Sequence, residues 1–145
     1  MGIRLAMACD HGGFELKEAL KKSIPNHDIE IIDMGVHSAD SVDYPDQAHA
    51  LARAILSHEA DLGILVCGTG IGISIAANRH PGIRAALCTD PFMARMSREH
   101  NDANVLCLGG RVIGPSLAHE IVQAFLTGSF EGDRHARRVD KIELN

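Results

Sequence analysis

The residues best suited to chemistry lie in one stretch, Leu62 to Asn78, which reads Leu-Gly-Ile-Leu-Val-Cys-Gly-Thr-Gly-Ile-Gly-Ile-Ser-Ile-Ala-Ala-Asn. Cys67 ends an apolar run, and Gly68, Gly70 and Gly72 come directly behind it. Glycines at this density leave little side-chain bulk, so several backbone N–H groups can converge on an anion or on an oxygen that becomes negative during reaction. A helix starting at such a turn adds partial positive charge. A cysteine placed there is favoured as its thiolate, the form that can act as a base or nucleophile.

Other uses of the turn are weighed against that chemistry. A dinucleotide fingerprint needs a third glycine where this chain has Ile73, and no Gly-x-x-x-x-Gly-Lys-Ser/Thr phosphate loop occurs. A turn serving only close strand-to-helix packing is the plain structural alternative. The remaining cysteines, Cys9, Cys88 and Cys107, each fall in or just after an apolar run and read as small buried hydrophobes. No Cys-x-x-Cys pair or zinc-like grouping with histidine occurs.

These groups require elements to hold them. Apolar runs at Ile3 to Ala8, Ile29 to Ile32, Leu62 to Val66, Ile83 to Cys88 and Val105 to Leu108 read as five strands. Between them, helical spacing predicts a first helix with Phe14, Ala19 and Leu20 inward and Lys17, Lys21 and Lys22 outside. A second helix is expected from about Asp46 to His58, with Pro45 at its start and His49 and His58 facing solvent. A third follows the glycine turn to Asn78. A fourth runs Phe92 to Glu99 with Phe92, Met93 and Met96 inward, and a fifth runs Pro115 to Leu126 through Leu117, Ile121, Val122 and Phe125. Pro25-Asn26 signals a turn, and a helical tail at about 131–143 would place Arg134 and Arg138 on one face.

Strands alternating with helices predict an α/β fold, a three-layer doubly wound parallel sheet with helices on both faces. Turns at the carboxyl ends of parallel strands gather on one side, which brings together Asp10, His11, Cys67 to Gly72, Asp90 and Arg111. Asp10 is as well explained by capping its own helix as by a functional role. A thiolate, a histidine, an N–H-rich turn and several arginines suit proton transfer next to the carbonyl of a phosphorylated substrate. Arginine meets phosphate as a planar fork, although any one arginine is more often a solvated surface charge.

The Asp10-His11 turn, Cys67-Gly68-Thr69-Gly70-Ile71-Gly72 with Ala76-Ala77-Asn78, the His100-Asn101-Asp102 segment and the Arg134-His135 tail together resemble type B ribose-5-phosphate isomerase. That family includes the galactose-6-phosphate and allose-6-phosphate isomerases, and the resemblance covers essentially the whole chain. It implies an aldose-ketose isomerase interconverting ribose 5-phosphate and ribulose 5-phosphate, with a six-carbon sugar phosphate as the alternative substrate. Cys67 would be the base that moves a proton between C1 and C2, Thr69 would sit near the sugar oxygens, and His100 would open the furanose ring. Asp10, His11, Gly68, Gly70, Ile71, Gly72, Asn101, Arg111, Arg134 and Arg138 would contact substrate, the arginines chiefly through its phosphate. The tail offers both Arg137 and Arg138, and the four-residue spacing from Arg134 favours Arg138. A branch of the family that lacks the cysteine carries an acidic base where this chain has Ile73, so the resemblance is to the cysteine branch. It implies no cofactor and no metal, and a homodimer or homotetramer with active sites composed at the subunit interface.

At 145 residues the chain suits a single domain spanning 1–145, long enough to bury a core without disulfide or metal staples. The net charge of -5 argues against a general nucleic-acid binder. No run approaches the length of a membrane helix and no secretory signal opens the chain, so a cytoplasmic protein is expected. Two other classes remain as contrasts. A nucleotide-binding module without chemistry would give the cysteine no task, and a thiol redox protein would want a resolving cysteine nearby.

Overall fold

The computed structural model describes residues 2–25 and 27–144, so Asn26 of the expected Pro25-Asn26 turn lies outside the described residues. Five strands, β1 Ile3–Cys9, β2 Ile29–Gly35, β3 Leu62–Cys67, β4 Ala85–Leu87 and β5 Val105–Gly109, form one parallel sheet in the order β2-β1-β3-β5-β4. Six helices accompany them: α1 Phe14–Ser23, α2 Tyr44–Leu56, α3 Ile71–Ala77, α4 Pro91–Glu99, α5 Pro115–Thr127 and α6 Arg134–Asp140.

Successive strand residues point to opposite faces, and the core divides accordingly. On one face Leu5, Met7, Ile64, Val66, Leu106 and Leu108 pack against Leu16 and Leu20 of α1, Ala94 of α4 and Ile121, Val122 and Phe125 of α5. On the other, Ala6, Ala8, Leu65, Cys67, Val105 and Cys107 pack against Leu51, Ala52 and Ile55 of α2 and Ile73 and Ala77 of α3. This is the expected three-layer doubly wound sheet. Between β1 and β3 the chain switches direction across the sheet, and such a switch opens a crevice at the carboxyl ends of the two strands.

Several expectations drawn from polarity alone are corrected. Lys17 does not face solvent. It is fully buried, with Nζ 2.7 Å and 2.9 Å from the two carboxylate oxygens of Asp33 at the end of β2. Lys21 reaches the same carboxylate at 2.6 Å. Phe92 and Met93 do not point inward: they are 62% and 41% exposed, while Ala94 and Ser97 are the buried residues of α4. Leu117 is likewise on the outside of α5, where Ala118 takes the inward position. His49 is half-buried and lies 2.7 Å from His80 through ring nitrogens, whereas His58 is exposed as expected. α2 begins two residues early, at Tyr44, with Pro45 in its first turn.

β4 is shorter than its apolar run suggested, and it is an edge strand. The Asn78 side chain lies along its free side, donating Nδ2–H to Ala85 O at 2.9 Å and accepting Ala85 N–H at 2.8 Å. No helix among the described residues is long and apolar enough to cross a membrane.

Candidate active site

Three turns meet at the carboxyl ends of β1, β3 and β5, and they meet backbone against backbone. A Cβ added to Gly13 would lie 2.3 Å from Val66 O, so the turn after β1 closes onto β3 only because that side chain is absent. Gly70 has φ +80°, a left-handed conformation that suits glycine, and a Cβ there would also strike the Leu108 backbone at 2.9 Å. The Gly110 N–H donates to Cys67 O at 2.8 Å and the Arg111 N–H to Gly68 O at 2.9 Å, tying the turn after β5 to the cysteine turn.

Cys67 ends β3 on the face covered by α2 and α3, with its thiol buried. The Gly70 N–H is aimed at Cys67 Sγ, 3.1 Å away. An N–H donating to sulfur stabilises negative charge on it, so the glycine turn serves the thiolate directly. The Ile71 N–H turns to Thr69 Oγ1 at 3.2 Å, which holds the exposed Thr69 hydroxyl beside the turn. Burial pushes Cys9 and Cys88 each up to about 11, and it raises Cys107 further.

Asp10 is buried, and its Oδ1 accepts the N–H groups of Gly12 at 2.8 Å and Gly13 at 3.2 Å. It therefore shapes its own turn rather than capping α1, whose N-cap is Gly13 with no side-chain cap hydrogen bond. His11 accepts the Val42 N–H at Nδ1, 3.3 Å away, which leaves the proton of a neutral ring on Nε2 as a donor. The Arg111 guanidinium lies over Gly68, its Nη1 3.1 Å from where a Cβ would sit. Tyr44, which lies ahead of the helix expected from about Asp46, was missed by sequence reasoning. Its ring lies against Gly72, where a Cβ would meet Cε1 and Cζ at 2.7 Å. Asp90 is occupied in capping α4, accepting the Met93 N–H at 2.8 Å.

A second group of expected residues gathers elsewhere. His100 and Asn101 follow α4 and precede β5, so they lie toward the amino ends of the strands. Arg84 clamps their loop, donating Nε–H to Asp102 O at 2.8 Å and its own N–H to Asn104 Oδ1 at 2.8 Å. Arg98 adds a hydrogen bond to Ala103 O. α6 closes over the loop: the His135 ring stacks on that of His100 at 4.2 Å, and the Glu131 N–H donates to Glu99 O. A cavity of about 290 Å³ here is lined by His100, Asn101, His135, Arg138, Val139 and Ile142. Arg138, not Arg137, lines it, and Arg134 stands one helical turn away on α6. His135 was visible in the sequence only as part of the Arg134-His135 motif and carried no assigned role.

The register of the sheet measures the gap between the two groups. Gly63 pairs with Val105 and Cys67 with Gly109, so the cysteine turn stands four residues, about 13 Å, above the start of β5. Asp10, His11, Cys67 to Gly72 and Arg111 gather at the carboxyl ends of the strands as one candidate half-site, and His100, Asn101 and Arg138 gather toward the opposite end of the same sheet as another.

A doubly wound parallel sheet with a thiol, a histidine and an arginine at its switch point, and a separate cavity holding histidine, asparagine and arginine, defines an α/β protein built for a small anionic ligand. The particular class is fixed by comparison with known proteins. The chain belongs to the Ribose/Galactose Isomerase family, whose model matches residues 5–142. It is 48% identical over 139 residues to ribose-5-phosphate isomerase B of Escherichia coli, covering 96% of this chain and 93% of that protein. Among solved structures it superposes on ribose 5-phosphate isomerase B of Thermotoga maritima with a TM-score of 0.94 and 55% identity, covering 98% of each chain. Ribose-5-phosphate isomerase B of Clostridium thermocellum gives the same TM-score at 54% identity, over 97% of this chain and 95% of that one.

Proposed function

We propose that the chain is a cytoplasmic aldose-ketose isomerase interconverting D-ribose 5-phosphate and D-ribulose 5-phosphate through an enediolate. The observation that carries this is the Gly70 N–H directed at the buried sulfur of Cys67, beside His11 and Arg111 at the switch point. On the open-chain aldose, Cys67 takes the C2 proton, and the electron pair moves to O1 to give the enediolate. The proton on O2 passes to O1 within the enediolate, and the resulting thiol returns its proton to C1 as the ketose carbonyl forms at C2. The glycine turn and Thr69 face the oxygens on which charge develops, where fixed donors act most strongly on the transition state. His100 serves ring opening, and Asp10, His11, Asn101, Arg111, Arg134 and Arg138 hold the sugar and its phosphate.

The four β5 residues, about 13 Å, between the cysteine turn and the strand start that follows His100 support an assembly in which a second copy supplies the missing half. Exposed Ile71 and Ile75 on α3 and Phe92 on α4, at the β4 side of the sheet, offer an apolar surface for such pairing. The reading is tested by following ribose 5-phosphate conversion in heavy water. Turnover with deuterium entering the transferred position is expected in the wild type. In Cys67→Ala, turnover is expected to vanish while sugar phosphate still binds, because the lost group acts in the transition state. Near-normal turnover in that variant overturns the mechanism.

A further inference from the structure

The amino-end half-site holds a cluster of side chains whose arrangement goes beyond the ring-opening task given to His100. His100, Glu131 and His135 present ligating atoms that all lie within 4.8 Å of one another. His100 Nε2 and His135 Nε2 stand 3.8 Å and 3.6 Å from the same oxygen, Glu131 Oε1. These distances are too long for hydrogen bonds. His135 is only 5% exposed, and its Nε2 has no hydrogen-bond partner among the described residues. A buried ring nitrogen left unsatisfied and facing a carboxylate is costly unless a further group completes it.

We propose that His100, Glu131 and His135 bind a divalent transition ion of the zinc type, and that the bound ion withdraws His100 from the isomerase reaction. Two imidazoles and one carboxylate form a donor set suited to zinc, with a fourth position left for water. Bonds of 2.0–2.1 Å in a tetrahedron place donor atoms about 3.3 Å apart, so the three groups close by roughly 1.5 Å or less from where they stand. His135 is fixed by burial. His100, at the end of α4 with its side chain 38% exposed, turns out of the stack so that the ion lies in the plane of each ring. Arg138 lines the same cavity, so ion and sugar phosphate compete for adjoining positions. The inhibitory half of the proposal rests on the role of His100 in ring opening; the binding half does not.

The test is a titration of the purified, assembled protein with zinc chloride by calorimetry and with cobalt chloride by optical absorption. Wild type, Glu131→Gln, His100→Gln and Cys67→Ser are compared. One ion per chain is expected, with affinity about tenfold or more weaker in Glu131→Gln and His100→Gln, since even an outer partner of a metal ligand matters by that much. Affinity in Cys67→Ser should match wild type. Zinc should slow turnover of cyclic ribose 5-phosphate, a chelator should restore it, and Glu131→Gln should resist the inhibition relative to its own metal-free rate. Equal affinity in wild type and Glu131→Gln, or loss of binding in Cys67→Ser, overturns the site. Absence of turnover in the metal-free wild type would instead refute the isomerase reading, and the titration is independent of it.

Discussion

If Cys67 and His100 act on one sugar from two different chains, two inactive variants should make an active mixture. Both proton-transfer groups must come within about 3 Å of the substrate. Within one chain they are held at opposite ends of the sheet, with four residues of β5, about 13 Å, between the cysteine turn and the strand start that follows His100. Neither group can cross that distance: Cys67 ends a fully buried strand, and the His100 loop is clamped by Arg84 and Arg98. Cys67→Ala and His100→Ala are each expected to have little activity on cyclic substrate. When equal amounts are unfolded together and reassembled, or coexpressed, half of the dimers are mixed. In a two-fold symmetric pair each mixed dimer holds one site with both groups intact and one with neither, giving about one quarter of wild-type activity. The assay is ketose formation from ribose 5-phosphate across a series of mixing ratios, with the maximum at equal parts. A mixture no more active than its parents, although exchange of subunits is verified by mass, refutes the two-chain site.

Three further expectations follow from the geometry. Cys67 should be alkylated faster than Cys9, Cys88 or Cys107, whose thiols burial raises, and sugar phosphate should protect it; peptide mass mapping after brief exposure to iodoacetamide decides this. Arg138→Ala, and more weakly Arg134→Ala, should raise KM on the order of tenfold to a hundredfold with a smaller change in kcat, the loss of a charge-assisted contact of about 1.5–3 kcal/mol; unchanged saturation curves remove these residues from the phosphate site. Burial alone would raise the Asp33 carboxyl, but hydrogen bonds from Lys17, Lys21 and the Gly35 N–H outweigh it and hold the pKa at about 2 rather than 3.8. Because the folded pKa is depressed, this stability is fully present above about pH 4 and is lost as pH falls toward 2, amounting to about 1–2 kcal/mol after allowance for the partly open carboxylate. Asp33→Asn should flatten that part of the acid denaturation profile and destabilise the protein at pH 7 by about 3 kcal/mol, since it leaves Lys17 buried without its main partner; an unchanged profile in chemical denaturation refutes the pairing.

The five strands and the doubly wound plan were legible because short, predominantly apolar runs, each ending in a glycine or aspartate turn, have few other uses. What polarity could not convey is who the neighbour is. Lys17 reads as an outward charge until β2 brings Asp33 beneath it, and that pairing joins residues sixteen apart. Phe92 and Met93 read as core until the sheet ends at β4, leaving their face without a partner in this chain. For the site, the turn residues Asp10, His11, Cys67 to Gly72 and Arg111 were legible because strand polarity alone sends them to one end. His100 lies at the other end because it precedes β5, whereas the position of Arg138 there depends on the last helix folding back over the loop after α4. No local pattern records that return.

The amide of Asn78 gives the β4 edge a further property. Both outward backbone groups of Ala85 are already occupied by that side chain, and along a parallel strand the next residue to face outward is Leu87. An incoming strand would find a single free rung, too few to extend the sheet. The same asparagine that finishes α3 thus blocks strand-by-strand growth at this edge.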